Sequence, residues 1–238
     1  MFFDSRRRIV LAAVFFLFRH DFLHIREMDN DYRYLQALIA EGEHQQQDFK
    51  YKVTDALKLA RSVSAFANTD GGRLLIGVRD DGHLSGVRSE EEIYMMHAAA
   101  YKYCTPPSAI NFETLHANGR TIVVATVPKS NRRPVRAKSS SASPRAYIRI
   151  ADENIVASPV HLEMWRQEHS PVGTITTYSD DERAVMAVLS STTSLPLNRI
   201  VKLSHVPRRK VVSILAKLIR FSLVAINYQD EQFLFSGE

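Results

Sequence analysis

The sequence predicts an α+β protein in two parts, and three observations carry that prediction. A helix-spaced apolar stretch ends in Gly71-Gly72 and the apolar run Leu74 to Val78; Asn118-Gly119 separates two strand-like runs; and the last quarter of the chain reads as three helices followed by two alternating strands. At 238 residues with 45% hydrophobic content, the chain can fill two cores.

Taken in order, Arg6-Arg7-Arg8 precedes an apolar run from Ile9 to Phe18. That run is shorter than the roughly 20 residues a membrane helix needs. No small-residue cleavage site of a signal peptide follows it. The favoured reading is that translation begins at Met28 and that residues 1 to 27 are not part of the native fold. Tyr34, Leu35, Leu38 and Ile39 then predict a short helix ended by Glu41-Gly42.

From Thr54 to Asn68 the apolar residues Leu57, Leu59, Ala60, Val63, Phe66 and Ala67 recur at helical spacing. Gly71 and Gly72 allow a sharp turn into Leu74 to Val78, which suits a strand buried on both faces. Asp80-Asp81-Gly82 makes the next turn. Glu90 to Tyr103 is helix-compatible, with Ser89 as N-cap, and Pro106-Pro107 stops it. Asn111 to Leu115 and Arg120 to Val127 form a hairpin about Asn118-Gly119.

Lys129 to Ser143 is a loop rich in Pro, Ser and basic residues and is expected to be mobile, returning in the strand Ala146 to Ile150. A helix over His161 to Gln167 closes a first domain of residues 28–170, and Pro171 to Gly173 marks the linker. In the second domain, residues 171–238, helices over Asp181 to Leu189, Leu197 to Leu203 and Pro207 to Arg220 precede strands Leu223 to Ile226 and Gln232 to Phe235. Ser204-His205-Val206 is the turn between the last two helices. Ser222 follows the last helix, where a left-handed residue would cost about 1 to 2 kcal/mol, so a differently built corner is expected.

The single Cys104 can form neither an internal disulfide nor a cysteine zinc site, which favours a reducing compartment, the cytoplasm, and a core role. The net charge of +5 is modest but uneven. Neither Lys129 to Arg149 nor Arg199 to Arg220 contains an acid, and both are dense in Lys and Arg, as a phosphate-binding surface requires. Solvated basic faces without a ligand are the alternative.

Several motifs together carry a family resemblance: Ala65-Phe66-Ala67-Asn68-Thr69-Asp70-Gly71-Gly72 leading into Ile76-Gly77-Val78, Glu43 with Asp48-Phe49-Lys50 upstream, and Tyr147-Ile148-Arg149 with Asn154 and Ala157 downstream. They resemble the Schlafen-type, Alba-like domain over about Asp29 to Glu168. The resemblance implies a mixed α/β domain and a strand over Glu43 to Val53, which the polar Gln45-Gln46-Gln47 would not suggest. The C-terminal order of elements is similar to a winged helix-turn-helix domain.

Some Schlafen proteins cleave structured RNA with three carboxylates and a divalent metal, so the resemblance implies Glu43, Asp48 and Asp80 as candidate ligands for Mg2+ or Mn2+, with Lys50 facing phosphate. Asp48 departs from the glutamate of that pattern, and five positions separate it from Glu43, so a bend is required for both to reach one ion. The alternative makes Glu43 and Asp48 strand-end acids and Asp80 a turn residue. Related sequences are often described as divergent ATPases, yet the phosphate-binding loop is absent here. Gly71 and Gly72 are better explained by the turn.

The leading reading is a nucleic-acid-binding protein, DNA favoured over RNA: a cytoplasmic regulator with no membrane segment and no cofactor called for outright, acting as a homodimer. Arg132, Arg133, Arg136, Lys138 and Arg145 on the loop, and Arg208, Arg209 and Lys210 opening the last helix, are the candidate contacts. Val211, Leu215 and Leu218 are expected to face the core, and if Lys217 touches only phosphate its loss should weaken binding to all sequences alike. A C-terminal domain used for protein contacts is the alternative, and a metal-dependent ribonuclease is the alternative from another class.

Overall fold

The computed structural model describes residues 30–87, 90–140, 143–168 and 179–238. The segment 1–27, Ser89, Ser141 and the Pro171 to Gly173 linker lie outside the described residues. Helix α1 covers 30–41 and leads through a turn to β1 (Gln47–Lys50). Helix α2 (Ala56–Asn68) crosses from β1 to its parallel neighbour β2 (Gly72–Ile76), and β4 (Asn111–Ala117) and β5 (Arg120–Val127) complete a sheet of order β1-β2-β5-β4. Asp55 caps α2 by accepting from Leu57 N and Lys58 N.

Both faces of this sheet are covered, as the apolar run of β2 requires. Leu75 points to one side, where Leu35 and Leu38 of α1 pack with Phe49, Leu115, Ile122 and Val124. Leu74 and Ile76 point to the other, against Leu59, Val63 and Phe66 of α2. Gly71 has φ +75, and a Cβ there would stand 3.0 Å from Val127 O. Gly72 has an ordinary φ, but a Cβ on it would meet the Phe66 ring at 2.3 Å. The first glycine serves the turn and the second serves packing, a correction to the reading that assigned both to the turn.

A second sheet, β3 (Cys104–Thr105), β6 (Arg136–Ala137), β7 (Arg145–Ile150) and β8 (Glu153–Val156), lies on the opposite side of α2. Helix α3 (Glu90–His97) and a π-helical turn (Ala98–Lys102) lead into β3. Side chains of α2 fasten this sheet. Asn68 is 2% exposed; its Nδ2 donates to Val135 O (2.8 Å) and Tyr147 O (2.9 Å), and its Oδ1 accepts from Val135 N (2.7 Å). Ser64 Oγ donates to Val135 O and accepts from Tyr147 N, while Thr69 Oγ1 accepts from Arg149 N. One face of a helix thus does for β7 what a neighbouring strand would do.

Three expectations are corrected here. The strand expected over Glu43 to Val53 is confined to Gln47–Lys50, because the glutamines before it are occupied elsewhere: Gln45 pairs with Arg149 O and Ala151 N, and Gln46 donates to Asp70 O. The loop expected to be mobile contains β6 and the fully buried Val135, tied by Asn68 at both its N–H and its C=O. The helix expected over Glu90 to Tyr103 widens at Ala98 into the π turn.

Helix α4 (Pro159–Glu168) lies across the second sheet, with Trp165 packed against Ala146, Ile148 and Ala157. Beyond it come α5 (Asp180–Ser190), β9 (Leu195–Pro196), α6 (Leu197–Ser204), α7 (Arg208–Arg220), β10 (Val224–Gln229) and β11 (Gln232–Gly237), with a sheet of order β10-β11-β9. Their core joins Val185, Leu189, Ile200, Val211, Leu215, Leu218 and Phe235 with Val160 of α4. His205 turns α6 into α7 at φ 57. Ser222 adopts φ 54, so the corner after α7 takes the left-handed residue despite its cost, against expectation.

The Asn68 clamp leads to a prediction. Asn68→Ala leaves Val135 N–H and Tyr147 C=O buried without partners, at about 1 to 3 kcal/mol each. Denaturant unfolding is expected to show a loss of about 2 to 5 kcal/mol, and a loss below about 1 kcal/mol would refute the clamp.

Candidate nucleic-acid interface

The acids come first because they test a metal site. The turn before β1 carries Glu43 back so that its Oε1 accepts from Phe49 N at 2.8 Å, close to Asp48. Burial is the main force pushing the Glu43 carboxyl above its ordinary range, with the neighbouring Asp48 adding to it. Asp48 is itself committed: Oδ1 accepts from Arg149 at 3.2 Å, and Oδ2 lies 2.6 Å from Lys50 Nζ, an ion pair without hydrogen-bond alignment. Arg149 is 1% exposed, stacks on the Phe66 ring, and also donates to Asn154 Oδ1 and Gln47 O.

Asp80 sits in the exposed Arg79–Gly82 turn. The structure therefore brings Glu43 and Asp48 together without bringing Asp80 to them. No group of three or more His, Cys, Asp or Glu among the described residues is arranged to hold a metal ion. With Asp48 neutralised by two cations, these residues do not fit Mg2+ or Mn2+, and no step is derived through one. Lys50, expected to face phosphate, is spent on Asp48 and on Phe49 O.

The basic residues divide into committed and free. Arg133 pairs with Glu168 at 2.8 Å, Lys138 donates to Lys102 O, and Lys210 pairs with Asp181 at 2.6 Å. Arg208 donates to Asn198 Oδ1. Lys217 is held 2.8 Å from Glu182 Oε1. Arg132, Arg136, Arg145 and Arg209 are exposed, and none has an acidic partner among the described residues.

Helix α4 brings the two basic clusters to one place. It is shared between the cores, with Trp165 on the second sheet and Val160 on α7's side. Gln167 Nε2 donates to Ser213 O and Oγ, fixing α4 along α7. Between them opens a cleft of about 530 Å3 whose walls include Arg133 and Arg136 from the loop, Trp165 and the paired Glu163 and Arg166 from α4, and Val212 from α7. Arg208 and Arg209 stand one turn before Val212 on that helix, outside the wall of the cleft itself, and Arg208 is turned to Asn198 of α6.

The packing of α4 has a cost for groove reading. Val211, Leu215 and Leu218 face the core as expected, but Ala216 is also fully buried and Val212 and Ser213 are half-buried. Only the first turn, Arg208 to Lys210, stays exposed on all three residues. Sequence reasoning missed α4's role, along with Arg166 and the buried use of Arg149. Glu163 binds Arg166 through both oxygens (2.7 and 2.6 Å), and that guanidinium holds its carboxyl down at about 2.

Residues 43–158 match a family model described as Schlafen, AlbA_2. Among solved structures, the DIP2311 protein from Corynebacterium diphtheriae is similar at 17% identity and a TM-score of 0.45, over 80% of this chain and 34% of its own length. The N-terminal domain of a RecG-related protein from Nitrosomonas europaea, named for an ATP-dependent DNA helicase, is similar at 23% identity and a TM-score of 0.39, over 50% of this chain and 87% of its own length. The chain thus spans about a third of the length of the first of these proteins. No curated protein matches it. No helix among the described residues is long and apolar enough to cross a membrane.

The seam between α4 and the C-terminal sheet titrates. His161 packs edge-on against Phe233 at 4.9 Å, with its Nδ1 2.8 Å from Ser158 Oγ, and burial pulls its pKa from 6.5 to about 4. Between those values the unfolded chain binds a proton that the folded chain does not, so stability is complete above about 6.5 and falls as pH drops towards 4. Melting temperatures across that range are expected to fall less steeply for His161→Phe than for the parent protein. Equal slopes would exclude His161 as the titrating group.

Proposed function

We propose that this chain binds nucleic acid, DNA in preference to RNA, through the basic cleft beside α4, and that it acts as a DNA-binding regulator in the cytoplasm. The observation that carries the reading is that two segments distant in sequence meet at one opening: the loop that puts Arg133 and Arg136 in its wall, and the helix that puts Val212 there and carries Arg208 and Arg209 one turn earlier. Clustered cations release condensed counterions from a phosphate backbone, which is the main source of sequence-independent affinity. The match of residues 43–158 to the Schlafen, AlbA_2 model supports the same reading.

In this reading the N-terminal domain spans residues 28–170 and the C-terminal one residues 171–238, the latter a winged helix-turn-helix. Its element order supports that description, with α6 and α7 joined by a tight turn and β9 added to the β10–β11 wing. Because α4 covers α7 beyond its first turn, phosphate contacts supply most of the affinity, and base edges are read by Arg208, Arg209 and Lys210. A homodimer would present two such surfaces to a symmetric site. Light scattering with and without a duplex is expected to show it, and monomer alone in both would remove it.

Binding of a duplex at several salt concentrations tests the assignment. Arg136→Ala and Arg209→Ala are each expected to weaken binding and to lower the salt slope by about one, whereas Asp80→Asn should change neither. If changing Arg208, Arg209 and Lys210 together to Ala leaves affinity and slope intact, the C-terminal unit is not the reader. Cleavage of transfer RNA that chelation stops and Asp80→Asn abolishes would instead establish the ribonuclease reading.

A further inference from the structure

The solvent side of α3 and its π turn carries aromatic rings that the fold does not use. Tyr94 is 69% exposed and Tyr101 52% exposed, and His97 between them is exposed as well. The three share one helix side at spacings of three and four residues. His97 stacks on Tyr101, with centroids 5.8 Å apart and planes 21° from parallel, and rests on Phe112 of β4 at 4.7 Å. Tyrosines this exposed contribute little to core packing, and π turns frequently mark functional sites.

The charge beside them has one sign at one end. Lys102 closes the π turn, and Lys138 reaches it by donating to Lys102 O at 2.8 Å while its backbone N donates to Tyr103 O. Two residues further, Thr105 pairs with Arg136, which lines the cleft. The turn that carries Tyr101 is thus connected, through Lys102 and the pairing of β3 with β6, to a basic run that ends in the wall of the cleft. The acids of α3, Glu90, Glu91 and the buried Glu92, lie at its other end.

We propose that Tyr94, His97 and Tyr101 form a stacking platform for a single-stranded stretch of nucleic acid whose backbone leaves the cleft past Arg136, Lys138 and Lys102. The inference rests on the nucleic-acid reading above and adds the strand state of the ligand. Every base presents a π face, so the platform accepts single strands without sequence preference, whereas the stacked interior of a duplex withholds those faces.

The test measures binding of the full chain to a fluorescein-labelled oligothymidine and to a duplex of equal length. Tyr94→Ala with Tyr101→Ala is expected to weaken oligothymidine binding by roughly 5- to 150-fold for each base that loses its ring. Duplex binding should be unchanged, and Tyr94→Phe with Tyr101→Phe should bind as the parent does. Arg136→Ala should weaken both probes. The platform is overturned if the alanine pair leaves oligothymidine binding intact, if it weakens both probes equally, or if the phenylalanine pair behaves like the alanine pair. Loss on Arg136→Ala without loss on the tyrosine changes removes the platform and keeps the cleft. Failure of the parent chain to bind either probe removes both.

Discussion

The carboxamide of Asn68 fastens the second sheet of the N-terminal half to helix α2, because it satisfies the N–H and C=O of Val135 and the C=O of Tyr147. These groups are buried, and left unpaired they would each disfavour the fold. The clamp decides the position of the segment that follows, and thereby where Arg133 and Arg136 stand. It also places β7, whose Arg149 reaches back over Phe66 to Asp48. The buried ion pair between those two is a consequence of the same alignment. Such pairs are weak sources of stability, but removing one partner leaves a buried charge uncompensated.

Helix α4 then turns a positioned loop into a surface. Because Trp165 belongs to one core and Val160 to another, the helix cannot shift without disturbing both. Its own charge is largely cancelled: Glu163 neutralises Arg166, and Glu168 neutralises Arg133. Arg132, Arg136, Arg145 and Arg209 have no acidic partner among the described residues, and Arg208, held only by the neutral Asn198 carboxamide, keeps its charge as well. The same helix denies most of α7 to a DNA groove.

Much of this was legible in the sequence where periodicity and turn chemistry are strong. The helix ending at Asn68, the both-faces-buried strand after Gly72, and the hairpin at Asn118-Gly119 all follow from local pattern, and the structure contains them. Failures came where side chains substitute for backbone. Gln45 and Gln46 read as poor strand residues and are in fact caps for distant carbonyls and amides. Ser64 and Asn68, four apart on an otherwise apolar face, were the available signal for the clamp; it was read as part of a motif and not as a hydrogen-bonding device. The loop composition suggested mobility because nothing local reveals that Val135 is tied from α2. The carboxylates were identified by motif, but only the fold shows that Arg149, a hundred residues away, occupies Asp48.

The central claim is that a nucleic-acid backbone lies in the cleft beside α4 and touches both basic segments at once. Amide chemical-shift mapping of the full chain during titration with a short duplex tests it most directly. The account predicts that residues 132–136, 163–168 and 208–212 shift together and saturate at one ratio, while Glu43, Asp48 and Asp80 stay still. Shifts confined to one of the two basic segments, or centred on those three acids, would contradict it.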